Sequence, residues 1–93
     1  MRVRWSPEAR EALEEIRLGL QEISDTLAEQ WVRRIYERAE SLSRLPWRGH
    51  VVSHGGTDEV RQVWEGPYRI VYMVLDETVA VVTVLHGSRL LHL

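Results

Sequence analysis

Hydrophobic residues recur at helical spacing through the first quarter of the chain. Ala9, Leu13, Ile16, Leu20 and Ile23 are separated by three or four positions, which places them on one face of a helix. Ser6 is suited to cap the start of that helix, and Pro7 is tolerated at its first position, where no N–H bond is required. The pattern predicts an amphipathic helix from Pro7 to about Ile23.

A second helix is predicted directly after the first. Ser24, Asp25 and Thr26 are alternative caps for its start, and Pro46 and Gly49 mark its end. Its predicted buried face consists of Leu27, Trp31, Ile35, Leu42 and Leu45. Trp47 is expected to pack against the helix end. Because the connection is short, the two helices should form an antiparallel hairpin.

The spacing of apolar residues changes from helical to alternating after Gly49. Strands are predicted at Val60–Glu65, Tyr68–Leu75 and Val79–His86, with turns at 66–67 and 76–77. A further short strand is expected at Arg2–Trp5, another is possible at His50–His54, and a turn is expected at 55–58. The sequence therefore predicts one α+β domain over residues 1–93, with the helical hairpin packed on one face of a small antiparallel β-sheet.

The strand pattern suggests a cluster of polar side chains at one end of the sheet. If both hairpins have two-residue turns, Arg69 and His86 lie on the same face, and Arg89 follows just beyond it. Such a group could bind a phosphate or a carboxylate. The alternative is a structural role, in which Arg69 forms an ion pair with Glu59 or Glu65.

Composition excludes several classes of site. The chain has no cysteine, so disulfides and thiolate metal sites are ruled out. His50 and His54 lack a third ligand, and neither a metal nor another cofactor is predicted. No apolar run is long enough for a membrane helix, and the charged N-terminus is unlike a signal peptide. We therefore expect a cytoplasmic protein.

The distribution of charge argues against a general polyanion binder. All twelve basic residues are arginine and the formal net charge is −2, so no lysine is available as a catalytic amine. The arginine-rich outer face of the second helix has two interpretations. It is either a solvated surface with ion pairs along the helix or a docking site for an acidic partner.

Several motifs, in order, resemble the RelE/ParE superfamily. They are Leu45-Pro46-x-x-Gly49, Arg61, Tyr68-Arg69-Ile70-Val71-Tyr72 and Val84-Leu85-His86-Gly87-Ser88-Arg89. The resemblance spans essentially the whole chain. It implies the toxin of a type II toxin–antitoxin, or plasmid stabilisation, module, neutralised by a cognate antitoxin that wraps over the helical hairpin and sheet.

The superfamily has two main activities, and the resemblance implies different roles under each. In RelE-like toxins, which cleave mRNA on the ribosome, Arg69 and Arg89 would hold the phosphate and His86 would transfer protons. The lysines of that branch are replaced here by Val60 and Gln62. ParE-like toxins inhibit DNA gyrase by protein contact, and Arg61, Arg69 and Arg89 would then shape the toxic surface. The ParE-like interpretation is favoured, with the endonuclease and an inactive homologue as alternatives, so enzymatic activity is left open.

Overall fold

The computed structural model describes residues 1–55 and 58–89. The strands are β1 (Arg2–Trp5), β2 (His50–Gly55), β3 (Asp58–Glu65), β4 (Tyr68–Leu75) and β5 (Thr78–His86). The helices are α1 (Pro7–Gln21) and α2 (Asp25–Glu40), and a 3₁₀ turn at Ser41–Ser43 follows α2. Residues 56 and 57 of the predicted 55–58 turn lie outside the described residues.

The strands form one five-stranded sheet in the order β1-β5-β4-β3-β2. Strands β2 to β5 pair as an antiparallel meander, whereas β1 runs parallel to β5. The predicted α+β class is confirmed, and the parallel pair makes the sheet mixed rather than wholly antiparallel. β1 and β2 are therefore the two edges of the sheet.

Serine side chains start both helices. The Ser6 Oγ accepts a hydrogen bond from the Ala9 N–H at 3.0 Å, and the Ser24 Oγ accepts one from the Leu27 N–H at 3.2 Å. Each bond satisfies one of the N–H groups that a helix start leaves unpaired. Ser24 is thus the cap among the three predicted alternatives. Helix α1 ends at Gln21, before the predicted Ile23, whose side chain is exposed.

Both predicted two-residue hairpin turns are present. Gly66 has a φ of +56° and precedes Pro67, so the pair has the φ signs of a type II′ turn. Asp76 and Glu77 have φ values of +47° and +62°, the signs of a type I′ turn. Turns of these types follow the natural twist of paired strands, which explains why they connect the meander.

An irregularity interrupts the pairing of β4 with β5. Val71 pairs with Thr83 and Tyr72 pairs with Val81, so Val82 has no partner in the ladder. The Ser6 hydroxyl donates to the Val82 carbonyl at 3.0 Å and satisfies it from outside the sheet. Because one extra residue reverses the alternation of side chains, every position of β5 beyond Val82 changes face.

The core lies between the helices and one face of the sheet. Its buried residues are Ala9, Ile35, Ala39 and Leu42 from the helical side and Val63, Tyr68, Ile70, Tyr72, Val79, Val81 and Val84 from the strands. Burying one such Val, Leu or Ile side chain stabilises the fold by roughly 1.5–3 kcal/mol. The prediction for Leu45 is wrong: the chain leaves the helix before this residue, and its side chain is exposed.

Candidate functional site

Arg69 lies on the face of the sheet that points away from the helices. Its guanidinium donates to the Gln62 Oε1 at 3.3 Å and to the backbone carbonyl of Arg89. Its Nε is buried without a hydrogen-bond partner. The alternative prediction, an ion pair of Arg69 with Glu59 or Glu65, is wrong within residues 1–55 and 58–89, because Glu59 pairs with Arg61 and Glu65 with Arg34. The side chain therefore ties the segment after β5 to the sheet and has no carboxylate partner among the described residues.

The predicted convergence of Arg69 with His86 is wrong. His86 pairs directly with Tyr68, and the two rings meet edge to face with centroids 5.8 Å apart. Tyr68 belongs to the core on the helix-facing side, so His86 is on the opposite face from Arg69. The extra residue at Val82 is the cause, because it turns the end of β5 over.

His86 and Arg89 border a concavity between β5 and α1. The same concavity is lined by three carboxylates of α1, which are Glu8, Glu11 and Glu15. The His86 Nδ1 lies 2.9 Å from the Ser88 Oγ. Carboxylates along this wall create a negative field, which opposes the approach of a phosphate backbone.

Arg61 fixes the loop between the 3₁₀ turn and β2. Its Nη1 donates to the carbonyls of Trp47 at 3.1 Å and Gly49 at 2.8 Å. Its Nη2 pairs with the Glu59 carboxylate at 3.0 Å. The side chain is only 16% exposed, so this predicted surface residue acts chiefly on the loop.

Tyr72 anchors the same loop from within the core. Its hydroxyl donates to the Pro46 carbonyl at 2.8 Å and accepts from the Gly49 N–H at 2.9 Å. Burial raises the pKa of Tyr72, and the Gly49 N–H and nearby arginine charges oppose part of that rise. A Cβ at position 49 would lie 2.5 Å from the Tyr72 oxygen, so only glycine permits this approach. The combined Leu45-Pro46-x-x-Gly49 and Tyr-Arg-x-x-Tyr motifs were the sequence signal for this contact.

Exposed apolar side chains lie in the anchored loop and at the start of β2, directly after it. Leu45, Trp47, Val51 and Val52 are exposed by 57, 57, 40 and 38%, respectively. We call these four residues the Trp47 patch. Trp47, predicted to pack against the helix end, is more than half exposed. Its indole instead lies beside the Arg61 guanidinium, 5.3 Å from the ring centroid.

A groove runs along the other edge of the sheet, between β1 and the helical hairpin. Trp5 and Tyr36 stack in it with centroids 6.1 Å apart, and Leu13 and Val32 line it further along. The β1 end of the groove is lined by four arginines (Arg2, Arg4, Arg10 and Arg17) and two carboxylates (Glu14 and Glu40), and Arg17 pairs with Glu14. We call this the hairpin groove. An apolar groove with an excess of arginine at one end suits an amphipathic segment that carries carboxylates.

Among residues 1–55 and 58–89, no three His, Asp or Glu side chains are grouped as metal ligands. No helix in this part of the chain combines the length and apolarity needed to cross a membrane.

Comparison with known proteins links the chain to bacterial toxins. Residues 3–91 match the family model described as ParE toxin of type II toxin-antitoxin system, parDE. The fold is similar to a structure titled as the chromosomal ParDE TA system from P. aeruginosa, with a TM-score of 0.74 and 17% identity. That alignment covers 92% of this chain and 95% of the other.

A second similar structure is the toxin–antitoxin complex RelBE2 from Mycobacterium tuberculosis. Its TM-score is 0.65 at 27% identity, with 91% of this chain and 95% of that chain covered. No curated protein matches significantly. The expected kinship with the RelE/ParE superfamily is confirmed.

Proposed function

The chain belongs to the ParE toxin family of type II toxin–antitoxin systems, and from this membership and the geometry of its site we propose that it arrests growth by binding DNA gyrase. A cognate antitoxin neutralises it. Both partners are proteins, and no catalytic step is required. The RelE-like alternative, ribosome-dependent cleavage of mRNA, is the competing outcome of the test below.

The observation that carries the proposal is the separation of Arg69 from His86. Cleavage of RNA by its own 2′-hydroxyl needs a proton acceptor, a proton donor and stabilisation of the phosphorane charge around one phosphate. Here the Arg69 charge and the His86 imidazole lie on opposite faces of the sheet. The carboxylates beside His86 and Arg89 further oppose binding of a phosphate there. A toxin that acts by contact needs none of this convergence.

Charge and surface shape also support protein partners. The net charge of −2 is unfavourable for a nucleic-acid binder, whose affinity comes largely from phosphate contacts. The chain instead offers two apolar docking surfaces at opposite edges of the sheet, the Trp47 patch and the hairpin groove. We assign the hairpin groove to the antitoxin, because it is apolar and its β1 end has more arginines than carboxylates, which favours an amphipathic segment with acidic residues. The two similar structures, both from toxin–antitoxin systems, agree with this assignment.

The proposal is tested by pulse-labelling after brief induction in a susceptible bacterium. We expect thymidine incorporation to stop first while methionine incorporation continues, and the purified protein to inhibit DNA supercoiling by purified gyrase. The variant His86→Gln should retain full toxicity, because the histidine has no catalytic task. Early collapse of translation, with loss of toxicity in His86→Gln, would establish the endonuclease instead.

A further inference from the structure

The loop that carries Trp47 is held more firmly than an exposed loop usually is. Two side chains from the sheet, Tyr72 and Arg61, bind the backbone of Pro46, Trp47 and Gly49 through four hydrogen bonds. Tyr72 is completely buried. A side chain presented on such a rigid backbone loses little conformational entropy when a partner binds it. The fixed loop backbone therefore favours binding of a partner to the side chains that the loop exposes.

The loop displays residues that are usually buried. Trp47 and Leu45 are each more than half exposed, and Val51 and Val52, a few positions later in β2, are exposed as well. Tryptophan is enriched among the residues that dominate the energy of protein interfaces. The Arg61 guanidinium beside the Trp47 ring also restricts its orientation. Four exposed apolar side chains within residues 45–52 favour an interaction site on this part of the surface.

The charge around the patch indicates an acidic occupant. Arg44 and Arg48 flank Trp47 in the sequence, and both are exposed. Neither forms an ion pair with any residue of the described ranges, whereas four other arginines do: Arg17, Arg33, Arg34 and Arg61. The aliphatic side chains of Leu45, Val51 and Val52 suit a protein segment better than stacked bases.

The adjacent strand offers a place for such a segment. β2 is the last strand of the sheet, so one side of its backbone has no partner strand among the described residues. A free edge of this kind accepts an extended peptide through main-chain hydrogen bonds, while neighbouring apolar residues provide specificity.

We propose that the Trp47 patch is the surface that binds gyrase, and that it takes an extended acidic segment of that protein along the free edge of β2. This inference rests on the proposed function. Trp47 is the central anchor, Arg44 and Arg48 contact the carboxylates of the segment, and Arg61 and Tyr72 are positioning residues.

Binding of purified toxin to purified gyrase holoenzyme tests the proposal. Trp47→Ala should weaken affinity on the order of tenfold or more, as expected for an interface anchor. Arg48→Glu should also weaken it and reduce its dependence on salt, because an attractive charge is removed. The matched control is Ile23→Ala, which truncates a side chain that is 75% exposed at the other end of the molecule. Its affinity should stay unchanged. Circular dichroism and thermal unfolding establish that each variant is folded.

Hydrogen exchange adds a readout that a merely structural role would not change. On binding gyrase, the backbone amides of residues 50–53 should become protected, and those of α1 should not. Unchanged gyrase affinity in both patch variants, or no protection of β2, would overturn the inference and leave the proposed function intact. If the wild-type protein does not bind gyrase, both fail. Loss of RNA binding in Trp47→Ala, without any gyrase binding, would reassign the patch to nucleic acid.

Discussion

The hydroxyl of Tyr72 gives a direct test of how the loop is held. Tyr72→Phe removes one oxygen atom and leaves the buried ring in place. That oxygen donates to the Pro46 carbonyl and accepts from the Gly49 N–H, at 2.8 and 2.9 Å. Gly49 is buried, so its N–H would lose its partner without gaining free access to water.

The expected loss of stability follows from these two bonds. Each contributes about 0.5–1.5 kcal/mol net, and leaving a buried donor unpaired costs about 1–3 kcal/mol. We therefore expect the free energy of unfolding to fall by about 2–3 kcal/mol, a large part of the roughly 5–14 kcal/mol typical for this length. For a domain of this size, the corresponding fall in Tm is roughly 10–20 °C.

Urea unfolding followed by tryptophan fluorescence measures the change. The matched control is Tyr68→Phe, since Tyr68 is also buried but its hydroxyl makes no hydrogen bond to a described residue. We expect the control to change stability by less than about 0.5 kcal/mol. Equal stability losses in the two variants would refute the role assigned to the Tyr72 hydroxyl.

Four further predictions concern two turns, a helix and pH. Gly66→Ala should destabilise the protein by at least about 2 kcal/mol, because φ is positive and the new Cβ would lie 2.3 Å from Trp31. Gly19→Ala should stabilise the protein by about 0.5–1 kcal/mol, because a Cβ on this helical residue of α1 would lie in open space. If thermal unfolding shows Tm changes of the same sign for Gly66→Ala and Gly19→Ala, this reasoning is contradicted. Glu77→Gly should stabilise the protein by about 0.5–1 kcal/mol, because glycine adopts the left-handed φ of this turn position without strain. An unchanged unfolding midpoint would show that the turn is unstrained. The Glu40 carboxylate raises the pKa of Tyr36, and burial raises the pKa of Tyr68 and of Tyr72. Above about pH 10 the unfolded chain loses phenol protons that the folded protein keeps, so the free energy of unfolding should be highest below that pH and fall above it. A free energy of unfolding that stays constant with alkaline pH in urea titrations would contradict this.

Features determined by neighbouring residues were accessible from the sequence. Ser6 and Pro7 mark the start of α1 because capping depends on residues only a few positions apart. The turns at 66–67 and 76–77 could also be predicted, since each lies between two clear strand patterns. The family resemblance extended this local information to the overall fold.

Features determined by distant contacts were not accessible. Residues Val79 to Leu85 are nearly all apolar, so they lack the alternation that would have revealed the extra residue at Val82. The face of His86 was therefore predicted incorrectly. The Trp47 patch was missed for a related reason. Large apolar residues are usually expected to be buried. Here Tyr72, which is distant in the sequence, binds the loop backbone, and the apolar side chains of the loop are left exposed.

The bond between Ser6 and Val82 has a consequence for folding. These residues are 76 positions apart, whereas β3, β4 and β5 are joined by two-residue turns. Local hairpins can form early, but β1 and α1 join them only after a long loop closes, which is a slow event. The hairpin groove is lined by β1, both helices and β5, so it exists only after that closure. A partner that binds there distinguishes finished molecules from incomplete ones and, by mass action, holds the first strand against the last.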